Sequence, residues 1–179
     1  MISSWLTKCI DVWVASHASR QVRIKKEPSV SAQDTPKPAP GPKLPPYGPS
    51  ITLAQAKKVA AAALEPARMN QWTMVIAIVD PGGHLVYLEK LDQTQVGSVE
   101  VAVAKAKSSA IFKRSTKMFQ ERLAGGGAGL LVLRLKDAIP VEGGLPSLVD
   151  GKLVGALGVS GGSSAEDEVC AEAGAAALS

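Results

Sequence analysis

The sequence predicts an α+β protein, an antiparallel sheet of about five strands covered by helices. Three observations carry this reading. Segments with helical spacing of apolar residues bracket short β-rich runs, and those runs come in pairs joined by turn residues, Asp80-Pro-Gly-Gly-His84 and Asp150-Gly151. Hairpins of this kind join antiparallel neighbours, whereas a doubly wound parallel sheet needs a helical crossover between successive strands. The body is also long enough, from Ile51 to the last residue, for one hydrophobic core and short for two.

The first helix starts at Thr52-Leu-Ala-Gln55, a capping box, and carries Leu53, Ala56, Val59, Ala60, Ala63 and Leu64 on one face. Pro66 is expected to stop or kink it, because an interior proline removes a hydrogen bond and crowds the preceding turn. Met74 to Val79 and Leu85 to Leu91 flank Asp80 to His84 and form the first hairpin. A second helix is expected over Ser98 to Phe112, with Val99, Ala102, Val103, Ala106 and Ala110 buried, and a shorter one over Thr116 to Leu123. Gly125 to Gly129 break the chain. Leu130 to Leu135 and Ala138 to Val141 then read as strands, followed by a second hairpin, Ser147 to Val154, with a type I′ turn at Asp150-Gly151. Ser163 or Ser164 caps a final helix, whose Glu166, Asp167 and Glu168 suit the positive end of its dipole, with Val169, Cys170, Ala173 and Ala176 inward.

The residues ahead of this body differ in character. Eight prolines lie between Pro28 and Pro49, so residues 21–50 read as a basic, disordered linker that cannot build a core. Before it, Ile2, Trp5, Leu6, Cys9, Ile10, Trp13 and Val14 fall on one helical face, an amphipathic leader over residues 1–20. Three readings of that leader stay open: an export signal broken by Lys8 and Asp11, a helix docking on a membrane or partner, or an unstructured extension. Localisation therefore stays undecided between cytoplasmic and exported.

Charge narrows the function classes. Residues 1–50 hold seven Lys/Arg against three Asp/Glu, while residues 51–179 hold thirteen of each. A neutral body with two Phe gives no phosphate-binding stripe or stacking platform, so no nucleic-acid partner is expected. No run approaches the roughly 20 apolar residues of a membrane-spanning helix. Cys9 and Cys170 stand alone at opposite ends of the chain, without zinc spacing.

Taken together, Asp80-Pro-Gly-Gly-His-Leu-Val86, Lys105-Ala106, Phe112-Lys113, Gly125 to Gly129, Ile139-Pro-Val-Glu-Gly-Gly-Leu-Pro146 and Val154-Gly-Ala-Leu-Gly-Val-Ser-Gly161 resemble the GlcG/HbpS family. The resemblance runs in matching order from Tyr47 to Leu178. It implies a profilin-like domain, homo-oligomers and an association with haem, with glycolate-utilisation operons and with the C-terminal module of PduO corrinoid adenosyltransferases. It leaves two functions open: binding of haem, a related tetrapyrrole or another small ligand, for sensing or storage; or an enzyme acting on a small hydroxy- or oxo-acid.

Several residues are candidates for that chemistry. His84 is the one imidazole of residues 51–179, so a haem iron held by histidine within the body would use it; Tyr87 and Met118 are the fallbacks, and no other metal is expected. At a hairpin tip, a histidine is more often merely exposed. Lys105, one turn from the buried stripe, could act on a carbonyl or carboxylate, although a solvated amine is the simpler reading. Glu142, with Gly143 and Gly144, could face a ligand or simply form a turn. Gly158-Val-Ser-Gly-Gly162 matches a nucleophile elbow, but no histidine follows Ser160 and the sheet is of the wrong kind. Gly125 to Gly129 lack the ending of a phosphate-binding loop. Assembly into a homo-oligomer is expected from the small residues of the final helix and the neutral body, without help from the leader, whose prolines keep it out of the core.

Overall fold

Helix α1 (Leu53–Asn70) is followed by strands β1 (Val75–Val79) and β2 (Leu85–Lys90), helices α2 (Ser98–Phe112) and α3 (Thr116–Ala124), a 3-10 segment (Gly127–Arg134), strands β3 (Gly144–Val149) and β4 (Lys152–Ser160), and helix α4 (Ser164–Ala176). These elements come from a computed structural model that describes Gly41 and residues 43–178. The leader helix and residues 21–40 and 42 of the linker lie outside the described residues.

The four strands form one antiparallel sheet in the order β2-β1-β4-β3. β1 is buried along its whole length because helices cover both faces. Ile76 and Ile78 point to α1 and α4, where Val59, Ala63, Leu64, Leu157, Val159, Cys170 and Ala171 complete the larger core. Val75, Ala77 and Val79 point the other way, onto Ala102, Ala106 and Ala110 of α2. Strand alternation divides one strand between two helical layers. Across the sheet Ala77, Gly158 and Gly144 share one row. A Cβ on Gly158 would collide with the backbone of Ala102 and Ala106, so this row of minimal side chains is what lets α2 lie directly on the sheet.

Both capping boxes form, Thr52 with Gln55 and Ser163 with Glu166. Positive φ at Asp150 and Gly151, 49° and 71°, gives the expected I′ geometry. Other expectations need correction. Helix α1 does not stop at Pro66 but runs on to Asn70, with Ala67 buried in its last turn and Asn70 Nδ2 donating to the Pro66 carbonyl at 2.8 Å. The sheet has four strands among the described residues, not five. Leu130 to Leu135 fall largely in the 3-10 segment, and residues 138–141 form no strand. An apolar run without periodicity does not say which structure it adopts.

The final helix is rotated from its expected phase. Cys170, Ala171 and Gly174 face inward with Asp167 and Glu168, while Val169 is exposed. The burial raises the Cys170 thiol to about 11, which leaves it an inert packing residue. Before α1, the chain runs parallel to β4: Leu153 N donates to Pro46 O at 2.8 Å, and Gly48 N and Ile51 N donate to Leu153 O and Val154 O at 2.7 Å each. The end of the Pro-rich stretch is therefore hydrogen-bonded to the body.

Candidate functional site

Two groups of polar side chains stand apart from the core, one at the end of β4 and one at the tip of the β1–β2 hairpin. The first is built on α2. Its apolar stripe is flanked by Lys105, Ser108 and Ser109, all buried. Lys105 is not the solvated amine that its position suggested: it has no exposed surface. Its Nζ donates to Val159 O at 2.9 Å and to Asp167 Oδ2 at 2.7 Å. Since α2 and α4 cover opposite faces of the sheet, this ion pair passes the end of β4 and ties the two helical layers together.

The turn Glu142-Gly143-Gly144 closes over the pair. Its three successive N–H groups donate to Gln120 Oε1 at 3.0 Å, Glu168 Oε2 at 2.7 Å and Thr116 Oγ1 at 3.0 Å. The Glu142 carboxylate reaches Lys117 Nζ at 3.2 Å, which raises that amine above its ordinary value. Gly143 has φ of +106°, and a Cβ there would lie 2.8 Å from Asp167 Cβ and 2.9 Å from Lys105 Nζ. Only glycine fits. Burial pushes the Asp167 and Glu168 carboxyls up, against the opposing pull of Lys105 on the first and of the Gly143 N–H on the second.

Thus the structure does bring Lys105, Glu142, Gly143 and Gly144 together, but the lysine is sealed under the turn and the turn's N–H groups bond within the protein. An amine placed there orders the chain and is out of reach of a substrate. Asp167, Glu168, Thr116 and Gln120 escaped the sequence reading, because the contacts join residues up to 62 positions apart.

At the hairpin tip, Asp80 organises the second group. Gly83 N donates to Asp80 O, Asp80 N to His84 O and His84 N to Asp80 Oδ1, each at 2.9 Å. Both carboxylate oxygens of Asp80 lie 3.2 Å from His84 Nδ1. Partial burial alone would raise the Asp80 carboxyl, but the bonds from the His84 backbone and ring outweigh it and hold it below the ordinary range. A carboxylate at Nδ1 favours the proton there and leaves Nε2 with a free lone pair. The His84 side chain is 83% exposed, so that nitrogen is accessible.

The fallback ligands do not join it. Tyr87 packs against the α1 side of the sheet, and its hydroxyl donates to Glu89 Oε2 at 2.8 Å, a bond that raises the phenol. Met118 is on α3, which packs beside β3, at the opposite edge of the sheet from β2. Ser160 ends β4 opposite Val75, a strand's length from His84, and no nucleophile–base pair forms.

Residues 51–176 match the family model described as haem degrading protein HbpS-like. The chain belongs to the HbpS-like family. GlcG of Escherichia coli K12 is 36% identical over 110 residues, covering 62% of this chain and 81% of that protein. Among solved structures, a Streptomyces reticuli HbpS double mutant has a TM-score of 0.67 at 29% identity, covering 81% of this chain and 97% of that one. A PduOC:heme complex has a TM-score of 0.65 at 27% identity, with 72% and 95% covered. The HbpS-like match begins at Ile51, one residue before Thr52, the N-cap of α1.

Proposed function

We propose that this HbpS-like chain binds haem through its folded body, with His84 as the residue that would hold the iron. The haem complex of the similar PduOC structure supports the ligand class. The observation that carries the site is the Asp80–His84 pair, in which the carboxylate fixes Nδ1 and leaves an exposed Nε2 for iron. Haem brings the iron and the tetrapyrrole; the chain supplies the oriented imidazole. Tyr87 is a poorer donor, since its hydroxyl is bonded to Glu89, and Gly143 and Gly144 have no N–H left for a propionate. Binding of this kind suits sensing or storage, as it uses no nucleophile and no buried acid–base pair.

Hemin titration of the full chain and two variants tests the site. His84→Ala should lose the bound-haem spectrum, and Asp80→Asn should weaken affinity by about 10–100-fold, the usual effect of removing a partner that orients a ligand. Equal binding by His84→Ala and the unaltered chain would remove His84 from the site.

A further inference from the structure

The turn that carries His84 rests on helix α2, and a lysine makes the contact. A Cβ on Gly83, which has φ of +84°, would lie 2.8 Å from Lys107 Cγ, 3.7 Å from Lys107 Cα and 3.5 Å from Ile111 Cγ2. Gly83 is therefore pressed onto the stem of Lys107, and the Cα of His84 is about 3.8 Å further along the backbone. Beyond that stem the amine stays accessible. The Lys107 side chain is 41% exposed, and its Nζ lies 3.2 Å from Asp137 Oδ1. The residue next to it holds the Asp137 loop in place, since Ile139 N donates to Ser108 Oγ at 3.1 Å.

Lys107 and Ile111 are four positions apart on α2, so both meet the turn. Leu85, the neighbour of His84, is 53% exposed. An imidazole with a free lone pair thus stands among two apolar side chains and one amine. The mixture suits an amphipathic ring better than a bare metal ion. A haem presents a broad apolar face and carries two propionate carboxylates at one edge, several bonds from the iron. A group that pairs with one of them has to stand near the residue that holds the iron without touching it, and the Lys107 amine, three bonds beyond the Cγ that meets the turn, does so.

On the reading that His84 holds the iron, we infer that Lys107 recognises a propionate of the haem and that Asp137 occupies the amine until the propionate replaces it. A half-exposed ion pair is weakly held in water, so exchanging one carboxylate for another costs little. Asp137 is then a competitor built into the chain. The two members of the pair consequently have opposite effects on haem: losing the amine weakens binding, and losing the carboxylate strengthens it. A purely structural role for the pair would give losses at both positions. The same chemistry selects tetrapyrroles that carry free carboxylates over those whose acids are esterified.

Absorbance titration of the full chain with hemin and with hemin dimethyl ester, both delivered from the same detergent micelles, tests this. Lys107→Met should weaken hemin binding about 3–10-fold with the shape of the bound spectrum unchanged, and Lys107→Arg should restore most of it. Asp137→Asn should tighten hemin binding about 2–5-fold. Asparagine tolerates the left-handed backbone of Asp137, φ of +66°, so that variant keeps the loop. Neither Lys107→Met nor Asp137→Asn should alter binding of the ester, and Asp137→Asn should gain nothing in a Lys107→Met background. Unchanged hemin affinity in Lys107→Met, a loss in Asp137→Asn, or equal losses for hemin and ester would overturn the role of Lys107 while leaving haem at His84. A chain that shows no bound-haem spectrum, or one that His84→Ala leaves unchanged, would remove His84 from the site and Lys107 with it.

Discussion

Lys105 shows how far the chemistry of one residue depends on a partner distant in sequence. Read alone, it is an amine beside a helical stripe; folded, its charge lies within 2.7 Å of Asp167 and without solvent. Removing one member of such a pair strands the other. Lys105→Met should cost about 3–5 kcal/mol in denaturant unfolding, against about 0–1 for Lys107→Met, whose amine is half exposed in its pair with Asp137. Lys105→Met/Asp167→Leu should recover much of the loss, since replacing a whole buried pair by apolar side chains is often neutral. A double variant no better than the single would mean that the pair is not the source of the cost.

Glu168 gives the same cluster a pH dependence. Its carboxyl is raised by burial, so in the native state it holds its proton to a higher pH than in the unfolded chain. Its contribution is therefore most favourable at low pH. It declines as pH rises from the ordinary carboxyl range, about 4, through the raised native value. Glu168→Gln keeps an acceptor for the Gly143 N–H and removes the ionisation. Relative to the unaltered chain, the variant should gain stability across that window and hold a constant difference above it, measured by denaturation between pH 4 and 8. A constant difference throughout would show that ionising Glu168 costs nothing in the fold.

At the scale of elements, the sequence is legible where local physics decides. The Thr52 and Ser163 caps, the Asp150-Gly151 turn and the bounds of α2 all follow from residues within a few positions of one another. The 3-10 segment was not legible. Its apolar residues suit a strand, and what excludes one is the docking of Gly129 against α3 together with the burial of Val132. Half of the candidate site was legible for the same reason: His84 was identified from its scarcity, but its orientation by Asp80 required the turn's geometry. Gly158 is the most demanding position in the sheet. Gly158→Ala should destabilise by about 3 kcal/mol or more, since the obstructing atoms are backbone of α2 and cannot rotate away. Thermal melts compare it with Gly151→Ala, whose turn has open space but a φ of +71° and should cost about 1–2 kcal/mol. Equal losses would show that the packing of α2 onto the sheet is loose at Gly158.

Over the whole molecule, the boundary between tail and body carries a consequence for how it can be shortened. The composition of residues 21–50 places the body's start at Ile51, yet Pro46 O and Gly48 N bond to Leu153, and the Tyr47 ring lies 3.6 Å from Lys113 Nζ. A chain beginning at Ile51 would leave that part of β4 without its neighbour and should be less stable by about 1–3 kcal/mol than one beginning at Lys43. Matching melting temperatures would show that the segment adds nothing. Haem binding by this HbpS-like body is tested most directly by a hemin titration of the full chain followed by absorbance, with serum albumin as competitor. A saturable Soret shift that survives albumin and disappears in His84→Ala is expected; a spectrum indistinguishable from free hemin at stoichiometric haem would contradict haem binding.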